Sequence, residues 1–133
     1  MLKILIVDDI LAWRMQNAKL VNTFLGDDIQ LFYANSGTEA YNLVLEHGEV
    51  PFDIILSDLQ MEDDYYPEHA GEWFVREVKL LKEYQNTFIT LISASSDIED
   101  VAKKLDVDFI PKPTLVYYSL AIKYLFEEKG YTL

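Results

Sequence analysis

Leu2-Lys3-Ile4-Leu5-Ile6-Val7-Asp8-Asp9 is the stretch that decides how the rest of the chain reads. The apolar part is far shorter than the ~20 residues a membrane span requires, and it stops on two carboxylates, so it is neither a signal peptide nor a transmembrane helix. A short, almost continuous run of Leu, Ile and Val reads instead as a β-strand covered on both faces. Runs of similar composition follow at 29–33, 52–57, 88–93 and 108–111. Those at 2–7, 52–57 and 88–93 are the most continuously apolar, which predicts that they are the central strands.

Between the strands the apolar spacing turns helical, at 11–25, 38–46, 72–84, 98–105 and 114–129. In the first of these, Trp13, Asn17, Leu20 and Phe24 recur at steps of three and four, so Trp13, Leu20 and Phe24 predict a core-facing stripe. Gly26, Gly37, Gly48 and Gly71 fall near the predicted helix ends. Regular alternation of strand and helix, joined by right-handed crossovers, predicts a doubly wound α/β sandwich.

A chain of 133 residues, 50% hydrophobic, fits one domain with a full core and leaves no room for a second. Its net charge of -12, with no basic run, argues against nucleic-acid binding by this domain. There is no cysteine, which excludes disulfides and thiolate metal sites and is compatible with a reducing compartment. A soluble, cytoplasmic protein without membrane attachment is the expectation.

An open parallel sheet presents its working residues at the carboxyl ends of its strands. Four polar signatures stand there: Asp8-Asp9, Asp58, Ser93-Ala94 and Lys112-Pro113. Each has a plain reading of its own. One of Asp8 and Asp9 serves as N-cap of the first helix, Asp58 is a solvated loop residue, Ser93 is a turn residue, and Lys112 is a surface lysine before a strand-ending proline. The Lys112–Pro113 bond is also one that adopts the cis form at modest cost. Together, three carboxylates, a small hydroxyl and an ammonium suit a divalent cation and a phosphoryl group. Crowded carboxylates resist full ionisation unless a cation joins them, and magnesium takes oxygen ligands from one or two carboxylates plus phosphate. The Lys112 ammonium suits a carboxylate at rest and a phosphoryl oxygen after transfer.

These segments, ILIVDD at 4–9, ANSGTEA at 34–40, IILSDLQM at 54–61, LISAS at 91–95 and DFIPKP at 108–113, together resemble the receiver domain of two-component response regulators, the family of the bacterial chemotaxis regulator. The resemblance covers nearly the whole chain and implies a single receiver domain over 1–133. It implies a flavodoxin-like fold: a five-stranded parallel sheet in the order 2-1-3-4-5 flanked by five helices. By the same resemblance Asp58 is the phosphoacceptor, taking a phosphoryl group from a phosphohistidine of a sensor histidine kinase or phosphotransfer protein. Asp8, Asp9, Asp58 and the backbone carbonyl of Gln60 would hold Mg2+, and Lys112 would bind the phosphoryl group. Ser93 and Phe109 would be the switch pair, and Gln60 and Ser95 occupy the positions that influence dephosphorylation. Such a domain is a signalling module with slow self-dephosphorylation, not an enzyme. Downstream it would meet a protein target or a second copy of itself through the fourth helix, fifth strand and fifth helix.

Departures from the pattern are also visible. Phe109 lacks the hydroxyl of the tyrosine often found at the switch position, and no proline follows Met61. The loop at 62–70 is longer than usual and carries Glu62, Asp63, Asp64 and Glu68, which either select a phosphodonor or form a solvated insertion. Tyr65, Tyr66 and Trp73 either meet a partner or pin that loop, while His47 and His69 lack ligand-like spacing. The last helical segment is apolar nearly all the way round, which suggests a second contact surface. Competing readings are a receiver-like interaction module that works without phosphorylation and a phosphatase with an aspartyl nucleophile. The second usually places an acid two residues past the nucleophile, where this chain has Gln60. There is no GxxxxGK loop for a nucleotide, and no motif supports flavin binding.

Overall fold

In a computed structural model, which describes residues 1–61 and 70–133, β1 (Leu2–Val7) lies between two parallel neighbours, β2 (Ile29–Ala34) and β3 (Ile54–Ser57). β4 (Phe88–Ser93) pairs with β3, and β5 (Asp108–Pro111) closes the far edge, giving the order β2-β1-β3-β4-β5. The three most apolar runs are thus the interior strands, and every residue of β3 and β4 is buried. Alternating side chains divide the core into two layers. Leu5, Val7, Ile55, Ile89 and Leu91 face α2 (Gly37–Glu46), α3 (Ala70–Lys79) and α4 (Ile98–Leu105). Ile4, Ile6, Ile54, Leu56 and Ile92 face α1 (Leu11–Leu25), α5 (Lys112–Tyr117) and α6 (Leu120–Glu128).

Local chemistry explains where elements begin and end. Ser36 caps α2 by accepting from the Glu39 amide at 3.1 Å, a hydroxyl-to-amide cap three residues ahead of an acidic side chain. α1 has no such side-chain cap: its N-cap is Ile10, so neither aspartate takes that place. Asp8 instead accepts the Ile10 amide at 2.9 Å, just ahead of the helix. The β3 ladder starts at Ile54, not Phe52, because the Asp53 carboxylate accepts the Lys3 amide at 2.8 Å while the Asp53 amide donates to Lys3 O at 2.8 Å. All peptide bonds among the described residues are trans, that before Pro113 included.

Two predicted helices are each divided. The segment expected at 72–84 is α3 followed by a separate 3₁₀ turn, Lys82–Tyr84, because Leu81 is extended and Gln85 Nε2 donates to the carbonyls of Lys79 and Leu81. The segment expected at 114–129 is α5 and α6, so the described chain has six α-helices where five were expected. The break falls at Tyr118, whose φ of -147° and ψ of 77° are not helical. Val116, Tyr117, Tyr118 and Ser119 are consecutive weak helix formers, and nothing in so short a run repays their lost side-chain freedom. In α1 the buried stripe is Asn17, Leu20, Val21 and Leu25, with Trp13 and Phe24 packed at its margin. No helix among the described residues is long and apolar enough to cross a membrane.

Candidate functional site

Strand register places the acidic residues side by side. Val7 pairs with Ser57 in the last rung between β1 and β3, and the ladder runs one step further: the Asp58 amide donates to Val7 O at 2.9 Å and the Asp8 amide to Ala34 O at 3.1 Å. Asp8 and Asp58 are therefore fixed by the sheet itself, at the carboxyl ends of adjacent central strands. Asp9 begins the turn beyond β1, and one carboxylate oxygen from each of Asp8, Asp9 and Asp58 lies within 4.8 Å of the others.

Lys112 joins them from β5, as the first residue of α5. Its Nζ stands 2.9 Å from Asp8 Oδ2 and 3.0 Å from Asp58 Oδ2. Neither the ammonium nor Asp58 is a surface group: each is 5% exposed. The other Asp58 oxygen, Oδ1, accepts the Leu59 amide at 2.7 Å, so both oxygens have fixed donors. Ser93, at the end of β4, is buried, and its Oγ accepts the Ser95 amide at 3.1 Å, while Ser95 Oγ in turn contacts Asp97. Arg14 donates from α1 to the Asp8 carbonyl at 2.7 Å.

The electrostatics are those of a site short of positive charge. Burial raises the pKa of Asp8; the close contact with the Lys112 ammonium and the hydrogen bond from the Ile10 amide oppose this, and the Asp58 charge reinforces it. Burial would depress Lys112, but the close contact with Asp8 and the charges of Asp58 and Asp8 outweigh it and raise its pKa. One buried ammonium faces three carboxylates.

A divalent cation fits this donor set. Asp8 Oδ2 is buried without a hydrogen bond, because the Lys112 ammonium approaches at ion-pair distance but outside hydrogen-bond geometry. An oxygen with free lone pairs, beside two further carboxylates, suits a hard cation with oxygen ligands. Gln60 is exposed, two residues beyond Asp58. Phe109 is half-buried on β5 against the α2–α4 layer. Trp73 packs its ring on Tyr41 of α2, 5.5 Å between centroids. His47 is engaged with Lys3, Phe32 and Phe52 at the amino-terminal side of the sheet. Glu62, Asp63, Asp64, Tyr65, Tyr66, Pro67, Glu68 and His69 lie outside the described residues.

Two features escaped the sequence reading. Gly71, placed there merely near a helix end, passes against the Asp58 backbone: a Cβ would stand 2.1 Å from Asp58 O and 2.6 Å from Leu59 Cα. Its amide donates to Leu59 O at 2.9 Å, so α3 is tied directly to the turn that carries Asp58. Trp13, read only as a core residue, places its ring 4.9 Å from Lys112 Nζ. Neither contact leaves a mark in local spacing. A groove of about 350 Å³ lies at the other end of the sheet, near the first residues of β4 and β5, lined by Phe88, Asp108 and Lys129. Asp108 and Lys129 are paired with each other at 3.0 Å, and the groove is remote from the carboxylates.

No family model matches the sequence, and no curated protein is significantly similar to it. Solved structures do match, across nearly the whole chain, and they are CheY-like response regulator receiver domains. The chemotaxis response regulator CheY4 of Vibrio cholerae is 24% identical with a TM-score of 0.66, over 92% of this chain and 98% of that one. A CheY-like receiver domain from Methylobacillus flagellatus is 20% identical with a TM-score of 0.73, over 98% and 99%. The receiver domain of a signal transduction histidine kinase from Syntrophus aciditrophicus is 23% identical with a TM-score of 0.69, over 100% and 96%. The fold is that of CheY-like receivers, with an acidic cluster at the carboxyl ends of its central strands.

Proposed function

We propose that residues 1–133 form a response-regulator receiver domain that accepts a phosphoryl group on Asp58 from a phosphohistidine of a sensor histidine kinase or phosphotransfer protein. The observation that carries this reading is the convergence of Asp8, Asp9 and Asp58 within 4.8 Å, with the Lys112 ammonium between Asp8 and Asp58.

In the transfer, an Asp58 carboxylate oxygen attacks phosphorus in line with the departing imidazole nitrogen. The O–P bond forms as the P–N bond breaks, and the nitrogen keeps the electron pair. The Leu59 amide and Lys112 hold the Asp58 carboxylate in a single orientation, so little is lost in aligning it. Asp8, Asp9, Asp58 and the carbonyl of Gln60 would hold Mg2+, which when bound neutralises charge on the phosphoryl oxygens. Lys112 exchanges a carboxylate for a phosphoryl oxygen as the acyl phosphate forms, with no change in its own charge. Water attack on the acyl phosphate resets the domain, at a rate that side chains at Gln60 and Ser95 would tune.

Ser93, which accepts the Ser95 amide at rest, would turn its hydroxyl toward the new phosphoryl group, and Phe109 would pack into the space released. The signal would leave through α4, β5 and the α5–α6 pair, where Val116, Tyr117, Tyr118 and Tyr124 are exposed apolar or aromatic groups. A protein target or a second copy of the chain would cover them. Such a domain would act in the cytoplasm, without nucleic-acid or membrane contact of its own.

The test is intact mass after incubation with acetyl phosphate and magnesium. A gain of one phosphoryl group, mapped to Asp58 and absent in Asp58→Ala, is expected. No gain with a competent donor would overturn the reading in favour of a module that works without phosphorylation. Sedimentation with and without beryllofluoride tests self-association through α5 and α6.

A further inference from the structure

The Lys112 ammonium is enclosed on three sides, and only two of them are acidic. Asp8 and Asp58 stand 2.9 and 3.0 Å away, and the third side is the face of Trp13, whose ring centroid is 4.9 Å from Nζ. Trp13 belongs to the first turn of α1 and Lys112 opens α5, so the contact joins these two elements. We propose that Trp13 is a positioning residue for Lys112, holding the ammonium at the phosphoacceptor through its ring face while the carboxylates change partners. The inference rests on the phosphoacceptor reading of Asp58.

Lys112 sits on a flexible four-carbon stem, and keeping it in one rotamer forfeits freedom that some contact must offset. At rest the two carboxylates supply that contact. Once their oxygens engage a divalent cation they attract the ammonium less, and the cation itself repels it. An indole face is uncharged and takes part in neither exchange, yet it attracts an ammonium within about 6 Å, most strongly where water is excluded. Lys112 is 5% exposed, so its attraction to the ring is little diluted by solvent.

A purely structural account would have Trp13 simply fill the space between α1 and α5. The surroundings argue against that as its whole role. Beside the ring lies an open groove of about 220 Å³, bounded by Ala12, Gln16 and Val116, so the side chain does not seal the core there. A smaller apolar residue at this position would open the groove further without enclosing a void. Trp13→Leu is therefore expected to fold.

The experiment compares wild type with Trp13→Phe and Trp13→Leu. In metal-free protein, the Hε resonances of Lys112, assigned by their loss in Lys112→Arg, should be shifted upfield by the ring current. The shift should persist in Trp13→Phe and vanish in Trp13→Leu. With acetyl phosphate and magnesium, Trp13→Phe should be phosphorylated within about twofold of wild type, and Trp13→Leu about fivefold more slowly, as loss of one cation–aromatic contact implies. Equal rates for the two variants, or no upfield shift in wild type, would overturn the role of Trp13 and leave the phosphoacceptor reading standing. A ring-current shift in a wild-type protein that takes up no phosphoryl group would overturn the phosphoacceptor reading, and with it any part for Trp13 in transfer.

Discussion

Replacing Asp8 by Asn should make the metal-free protein more stable, although it removes one partner of a buried ion pair. At an effective dielectric constant of about 20, Lys112 Nζ at 2.9 Å attracts the Asp8 carboxylate by about 6 kcal/mol. Each neighbouring carboxylate, with an oxygen no farther than 4.8 Å, repels it by about 3.5 kcal/mol or more. Solvent screens the share of Asp9, which is only partly buried, so attraction and repulsion nearly cancel. Desolvation of a carboxylate that is 1% exposed then decides the sign. An Asn side chain avoids that penalty and still accepts the Ile10 amide. The expected gain is about 1–2 kcal/mol, or roughly 3–8 °C in Tm for a domain of this size. The assay is thermal unfolding followed by circular dichroism in EDTA at neutral pH. A carboxyl whose folded pKa stands above its unfolded value opposes folding in full above that raised value, and its penalty fades as the pH falls through it. The gap between Asp8→Asn and wild type should therefore shrink on acidification. Magnesium at about 100 times its Kd should stabilise wild type by about 2.7 kcal/mol and the variant far less. A variant that melts at or below wild type in EDTA, or a gap that widens with acid, would refute the reasoning.

Lys112→Met leaves three carboxylates facing one another with no cation, and should lower stability at neutral pH by about 3–5 kcal/mol in urea titrations, with part of the loss restored by magnesium. Gly71→Ala places a methyl group 2.1 Å from a backbone carbonyl that cannot swing aside, so the urea midpoint should fall by the equivalent of about 2–3 kcal/mol. His47 accepts a hydrogen bond from Lys3 Nζ at 2.8 Å through Nδ1, which requires a neutral ring; burial, then the Lys3 charge, lower its pKa below 6.5. The unfolded chain protonates at His47 more readily, so this contribution to stability is present above pH 6.5 and is lost as the pH falls through the folded value. Thermal melts between pH 7 and 5 should decline less steeply in His47→Gln than in wild type.

Much of this architecture is legible in the chain because it is written locally. Ile4 to Val7, Ile54 to Ser57 and Phe88 to Ser93 are apolar on both faces, and only strands sandwiched between helices need that. The polar residues that end them fall at strand ends for the same reason, so Asp8, Asp58 and Ser93 could be singled out before any strand was paired. The division of the last helix was harder to see. Leu115, Ile122 and Phe126 keep helical spacing across Tyr118, and the spacing does not register a break that the weak helix formers between them permit.

Short-range facts can be read along the chain: which runs are strands, which ends carry carboxylates, and where an ammonium follows β5. It took the packed molecule to set Asp8 and Asp58 on adjacent strands, to leave Gly71 no space for a Cβ beside Asp58, and to lay Trp13 over Lys112. The reason is physical. Strand pairing and side-chain burial act between residues tens of positions apart, and the distances that set their energies do not exist until the sheet has closed its order and the helices have packed onto it.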